Sequence, residues 1–337
     1  MADQEEVAVG HRYTSTGDLP GHRARGEILR ATHERYRHVV DGQVSRVYPS
    51  LERARPEHFG LGLVGVSGST QEVGDSRVEF TIMSVAKPFA FALAAQAVGI
   101  DTVIERVGVD ATGLPFNSAY AVERTVDGRT NPMVNAGAIA TTSLFTGTSL
   151  DERWEGLAEG LSRFAGHELD LDQDVLACAR ETNFRNRALA MLLRELSALD
   201  EDPLTAVELY TRQSCLQVTA VDLAVMGATL ADGGVNPLTG VRVVDAEVAR
   251  ATLVVMTVAG LYETSGDWLM RVGIPGKSGI GGGIVAVSPG KGALGSFSPP
   301  LDREGNSVRG QLAARAMSYE LGLDLLASEP VVPQVSP

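Results

Sequence analysis

Apolar positions alternate with polar or glycine positions in two early stretches. The spacing predicts strands at residues 58–66 (His-Phe-Gly-Leu-Gly-Leu-Val-Gly-Val) and 77–82 (Arg-Val-Glu-Phe-Thr-Ile). Residues 22–46 read as an amphipathic helix. From about 84 to 258 the apolar period is helical, over 84–99, 134–146, 150–166, 171–198, 202–213, 218–233 and 246–258. Strand character returns at 284–288 and 293–298, followed by helical spacing over 307–325. Strands near both ends with helices between them predict an α+β protein. One sheet would be completed by the two chain ends, with an all-helical insertion in the middle.

Residues 1–20 and the tail 329–337, which holds three prolines, show no sustained period and are expected to be loose. The stretch 21–328 is expected to form a single domain, with an α/β part at about 21–90 and 241–328 and a helical part at about 91–240. At 337 residues, 44% hydrophobic and 21% charged, the chain can bury a sizeable core.

Charge narrows the function classes. Lys and Arg number 29 against 42 Asp and Glu, a net charge of −13, which disfavours nucleic acid and anionic membrane as partners. The basic run from His22 to His38 is interleaved with Glu27 and Glu34, as on a solvated helix face. Two cysteines, Cys178 and Cys215, are too few for a disulfide framework and lack the short spacing of a metal site, so both are expected reduced. The start, Met-Ala-Asp-Gln-Glu-Glu, lacks the basic and apolar regions of a signal peptide, and Phe89–Ile100 is too short to span a bilayer. The expectation is a cytoplasmic protein.

The candidate chemistry begins at Ser84, which follows a strand-like run and opens an apolar helix, with Lys87 about one turn later on the same face. A serine hydroxyl needs a base, and a partly desolvated lysine can serve; a helix N-terminus adds N–H groups for a developing oxyanion. Ser-x-x-Lys alone also fits a cap serine and a solvated lysine. The later Lys277-Ser278-Gly279, before the strand-like Ile284–Val287, adds to it. β-Lactamases and penicillin-binding proteins combine Ser-x-x-Lys with a Lys-[Ser/Thr]-Gly element lining the site.

Longer blocks extend the pattern: Thr112–Ser118 (TGLPFNS), Asn131–Ile139 (NPMVNAGAI), Glu181–Arg187 (ETNFRNR), Asp222–Gly240, Gly260-Leu261-Tyr262, Lys277–Gly283 and Ser298–Gly310. In these blocks, from about 25 to 325, the chain resembles the serine-dependent glutaminases. The resemblance implies a β-lactamase-like fold and hydrolysis of the L-glutamine side-chain amide to glutamate and ammonia, with no metal or organic cofactor. It implies Ser84 as nucleophile, Lys87 as its base, Tyr210 and Tyr262 as site tyrosines, and Tyr262 assisting proton transfer to the leaving ammonia. A nearby ammonium lowering the phenol's pKa would suit that role. Asn135 and Asn186 would bind the amino-acid end of a small-molecule amide substrate; the backbone N–H of Ile280 would join that of Ser84 in an oxyanion hole, with Ser278 beside it. A homodimer or homotetramer is also implied.

Four positions depart from the family pattern. Ala179 stands where a glutamate usually holds the substrate's α-ammonium, and Val47 aligns with a tyrosine, although Tyr48 is adjacent. Met83 replaces the glutamine before the nucleophile, and Pro88 follows Lys87 where valine is common. The departures leave the nucleophile and base intact but alter substrate recognition. A specialised amidase or acyl-transfer enzyme acting on a modified glutamine-like substrate is therefore the second reading. A catalytically silent binding protein of the same fold is the third; retention of Ser84, Lys87, Tyr210, Tyr262 and Lys277-Ser278-Gly279 speaks against it.

Overall fold

The computed structural model describes residues 19–327. The elements in chain order begin with α1 (His22–Tyr36), β1 (Gly60–Gly65), β2 (Thr70–Gly74) and β3 (Phe80–Thr81). A run of helices follows: α2 (Ala86–Val98), α3 (Ile100–Val107), α4 (Tyr120–Glu123), α5 (Asn135–Thr142), α6 (Leu150–Ala165), α7 (Gln173–Thr182), α8 (Phe184–Glu195) and α9 (Pro203–Ser214). Then come β4 (Gln217–Val218), α10 (Ala220–Ala231), α11 (Ala246–Ala259) and α12 (Ser265–Val272). The chain closes with β5 (Gly276–Ser278), β6 (Gly283–Ser288), β7 (Gly292–Phe297) and α13 (Val308–Leu321).

The architecture is α+β. A five-stranded antiparallel sheet runs β2-β1-β7-β6-β5, so the early hairpin joins the late strands through the β1–β7 pairing, Leu61 opposite Ser296 and Leu63 opposite Leu294. Alternation along β6 explains its two-sided burial. Ile284 and Ala286 face one apolar cluster, with Leu29, Trp268, Ala313 and Met317 from the flanking helices. Val285 and Val287 face the larger cluster, shared with α10 and the helical region. Within the stretch expected to be helical, α10 is the element that packs across the sheet. A capping box fixes its start: Thr219 Oγ1 accepts from Asp222 N–H at 3.1 Å, and the Asp222 carboxylate accepts from Thr219 N–H at 2.8 Å. Buried Arg309 ties the ends together, donating to Ser298 Oγ at 2.8 Å and to the carbonyls of Pro56 and His58.

Several boundaries differ from the sequence expectation. The helix expected over 22–46 stops at Tyr36, beyond which Gln43 bridges to Leu301. In the stretch 77–82 only Phe80 and Thr81 pair, and with β4 rather than the main sheet, because Ile82 N–H is drawn to Leu216 and Met83 then leaves the extended region. The span 171–198 is two helices. Asn183 sits between them at φ −78°, ψ 39°, its amide donating to Thr211 Oγ1 at 2.9 Å. That break turns the first residues of α8 toward the site described below. The ends expected to be loose lie almost wholly outside the described residues. Within them no single helix is long and apolar enough to cross a membrane.

Candidate active site

Ser84 lies in a 3₁₀ turn, Met83–Val85, that runs directly into α2. Met83 has φ +49°, uncommon for a residue with a side chain, and the turn presents Ser84 at the wall of a cavity of about 150 Å³. Pro88 falls in the first turn of α2, where its missing N–H is best tolerated. One turn on from Ser84, Lys87 is 1% exposed. Its Nζ donates to Asn135 Oδ1 at 2.7 Å and to the Met133 carbonyl at 3.2 Å. Burial pushes its pKa down from the usual lysine value to about 7.

The asparagines and Tyr210 form one network with Lys87. Asn135, the first residue of α5, also accepts from the Tyr210 hydroxyl at 3.2 Å, and its Nδ2 donates to Asn186 Oδ1 at 2.9 Å. Asn186 is held at the start of α8 by the break at Asn183. The loop between α3 and α4 joins in: the Phe116 carbonyl accepts from Asn135 N–H at 2.8 Å, and the Phe116 ring meets the Tyr262 ring at 4.9 Å between centroids.

Tyr262 is the second strained position, at φ +59° in a 3₁₀ turn after α11. The turn lies against β5 because residue 260 is glycine: a Cβ there would stand 1.8 Å from the Gly276 carbonyl oxygen. The Tyr262 hydroxyl donates to the Ser278 carbonyl at 3.3 Å, and the Ser84 hydroxyl is its other hydrogen-bonding neighbour. Two buried amines flank its ring, Lys277 Nζ at 4.0 Å and Lys87 Nζ at 5.8 Å from the centroid. The sequence expectation was a phenol with a lowered pKa. Burial instead pushes Tyr262 up to about 12, because the same desolvation drives the neighbouring amines toward neutrality. Lys277 is held well below the usual lysine range, first by burial and then by Lys87. Burial likewise holds the Tyr210 phenol well above its usual value.

Beyond β5 the chain passes Ser84 at close range. A Cβ on Gly279 would lie 3.2 Å from Ser84 N and 3.0 Å from the Ile82 carbonyl oxygen. This approach brings Ile280 to the cavity wall, packed against the cluster that holds Met83. Ser84, Asn135, Ala179, Asn186, Tyr210 and Ile280 all line the cavity, while Lys87 and Tyr262 stand behind or beside that wall. Ser278 is fully buried, its hydroxyl turned to Asn306 Oδ1 at 2.5 Å and its carbonyl to Tyr262 and Lys277. Ala179 is 1% exposed, in a small apolar cluster with Leu51, Met83 and Cys215. Val47 and Tyr48 line the cavity together, and the Tyr48 phenol is pushed up to about 12 by burial.

The glutaminase family model matches residues 42–326. The chain belongs to the glutaminase family. It is similar to Glutaminase 2 of Yersinia pestis, 57% identical over 318 residues that cover 94% of each chain. A glutaminase of Brucella abortus (strain S19) is 48% identical over 287 residues, 85% of this chain and 90% of that one. Among solved structures, Probable glutaminase ybaS superposes with a TM-score of 0.90 at 39% identity, covering 92% of this chain and 100% of the other. The glutamate form of Mglu gives a TM-score of 0.86 at 37% identity, covering 90% of this chain and 70% of the other. Of the glutaminase blocks seen in the sequence, Thr112–Ser118, Asn131–Ile139, Glu181–Arg187 and Lys277–Gly283 reach the cavity wall, whereas Asp222–Gly240 forms α10 against the sheet. Lys277, Asn306, Phe116 and Arg185 were within those blocks but had no site role assigned from sequence. The signal for Lys277 was the lysine of Lys-Ser-Gly itself; its approach to Tyr262 required the fold.

Proposed function

We propose that this chain hydrolyses the side-chain amide of L-glutamine to glutamate and ammonia through an acyl-enzyme on Ser84. The observation that carries the reading is the fully buried Lys87 amine, one helical turn from Ser84, with its pKa brought down to about 7. An amine that is neutral in about half of the molecules near pH 7 can take the Ser84 proton as the oxygen attacks the amide carbon. The oxyanion that forms faces the backbone N–H groups of Ser84 and Ile280, a role supported by the close pass of Gly279. Tyr262, protonated at neutral pH, hands its proton to the departing nitrogen and is placed to regain one from the Lys87 side. The C–N bond breaks and ammonia leaves; water then attacks the ester carbon as Lys87 again accepts a proton, the bond to Ser84 Oγ breaks, that proton returns to Oγ, and glutamate leaves. Asn135 and Asn186 hold the amino-acid end of the substrate, with Tyr210 ordering Asn135. A β-lactamase-like fold is supported by the antiparallel sheet closed from both chain ends, the Ser-x-x-Lys at a helix start and the Lys-Ser-Gly on the edge strand β5.

Ammonia release from L-glutamine tests this. Ser84→Ala, checked for retained fold by circular dichroism, is expected to lose about a thousandfold or more in kcat/KM. Activity within tenfold of wild type would remove Ser84 from the chemistry.

A further inference from the structure

The turn that carries Tyr262 and the strand β5 are distant in sequence from the loop between β7 and α13, yet a side chain of that loop joins them. Asn306 is fully buried there. Its Oδ1 accepts from the Ser278 hydroxyl on β5 at 2.5 Å. Its Nδ2 donates at 3.3 Å to Oγ1 of Thr264, the last residue of the Tyr262 turn. The loop holds Asn306 from behind. Asp302 Oδ1 accepts from Asn306 N–H at 2.8 Å, and the Asn306 carbonyl accepts from Asp302 N–H at 2.8 Å. The same loop touches the segment beyond β5, where a Cβ on Gly305 would lie 3.5 Å from Ile280 Cγ2.

The neighbours dictate an amide at this position. Thr264 gives its one hydroxyl proton to the Leu261 carbonyl at 2.7 Å, so toward residue 306 it can only accept. Ser278 donates, so residue 306 must accept on that side. A carboxylate lacks the donor. The link also bears on the reacting phenol, because the Ser278 carbonyl is the acceptor for the Tyr262 hydroxyl at 3.3 Å and for Lys277 Nζ at 2.6 Å. Movement of Ser278 against the turn would move the phenol's acceptor away from it.

On the acyl-enzyme reading above, we infer that Asn306 is a positioning residue for Tyr262, holding the phenol beside Ser84 for proton delivery to the leaving nitrogen. Leaving-group dependence separates this role from a general structural one. An amide nitrogen departs as ammonia and needs a proton, whereas a γ-(S-methyl) thioester of L-glutamate expels methanethiolate, which takes the bond's electron pair and needs none. Asn306→Ala is expected to lower kcat for L-glutamine about a hundredfold with KM within about threefold of wild type. Its kcat/KM for the thioester, corrected for the spontaneous rate, is expected to stay within about threefold. Thr264→Val, nearly isosteric and in the half-buried turn, removes the acceptor alone and is expected to show the same split, which Thr264→Ser restores. The double variant is expected to be no slower on L-glutamine than Asn306→Ala. Equal losses on amide and thioester, an unchanged kcat for L-glutamine, or additive effects of the two substitutions would overturn the role of Asn306. Ser84→Ala reads the underlying mechanism separately: it is expected to abolish both reactions, and retention of both would overturn the acyl-enzyme and with it the role of Asn306.

Discussion

In the proposed mechanism Lys87 is the base, and full burial without a carboxylate partner forces its amine toward neutrality. Its hydrogen-bond partners are neutral, a backbone carbonyl and an asparagine amide, so nothing restores the ordinary ammonium. The consequence for pH has a definite sign. The folded pKa, about 7, lies below the ordinary lysine value of 10.5. Between those values the unfolded chain binds more protons, so this group makes the protein more stable as pH rises through that window. Below about 7 the penalty of charging a buried amine is fully present. Lys277 acts in the same sense. Lys87→Met is therefore expected to raise Tm at pH 7 and to flatten its climb toward alkaline pH, while kcat/KM falls by about a thousandfold. For the wild type, kcat/KM is expected to rise with an apparent pKa near 7. A Lys87→Met variant with lower Tm and unchanged activity would contradict the assignment.

At the scale of elements, two short 3₁₀ turns present the side chains to which the proposed mechanism assigns the chemistry, and each contains a backbone conformation that a regular helix does not. Met83 and Tyr262, both at positive φ, mark the turns that carry Ser84 and the phenol. Such positions cost on the order of 1–3 kcal/mol and persist where packing over-determines them. For Tyr262 the constraint is Gly260 pressed on Gly276. Gly260→Ala puts a methyl against backbone at 1.8 Å, and the atoms it meets cannot swing aside. It is expected to lower kcat by about a hundredfold through displacement of Tyr262 or β5. Gly266→Ala, exposed on α12 with nothing within 4 Å of the new Cβ, is the control and is expected to leave kcat unchanged. Equal effects of the two would show that the contact at Gly260 does not position the tyrosine.

Across the whole molecule, the elements easiest to read in sequence were those with a strong burial period. The alternation of β6 between two clusters and the apolar face of α2 are visible from residue types alone. Others carried weak signals for physical reasons. β2, Thr-Gln-Glu-Val-Gly, lies at the sheet edge and is only half-buried, so it has no apolar alternation to find. The apolar period of α7 passes into that of α8 without interruption, and the break depends on an Asn183 side chain bonding to α9. Of the site, Ser84, Lys87 and the asparagines were legible as motifs. Their partnership was not, because Lys87 and Asn135 are 48 residues apart and Tyr210 a further 75 from Asn135, and only the fold brings them together. The direction of the Tyr262 shift was also hidden, since it depends on how completely three polar groups are buried at once.

Intact-protein mass spectrometry with an electrophilic glutamine analogue tests the central claim most directly. Wild type is expected to gain one covalent equivalent, mapped by peptide analysis to Ser84, and Ser84→Ala is expected to gain none. An adduct of the same mass on Ser84→Ala, or one mapped to another residue of the wild type, would contradict the account.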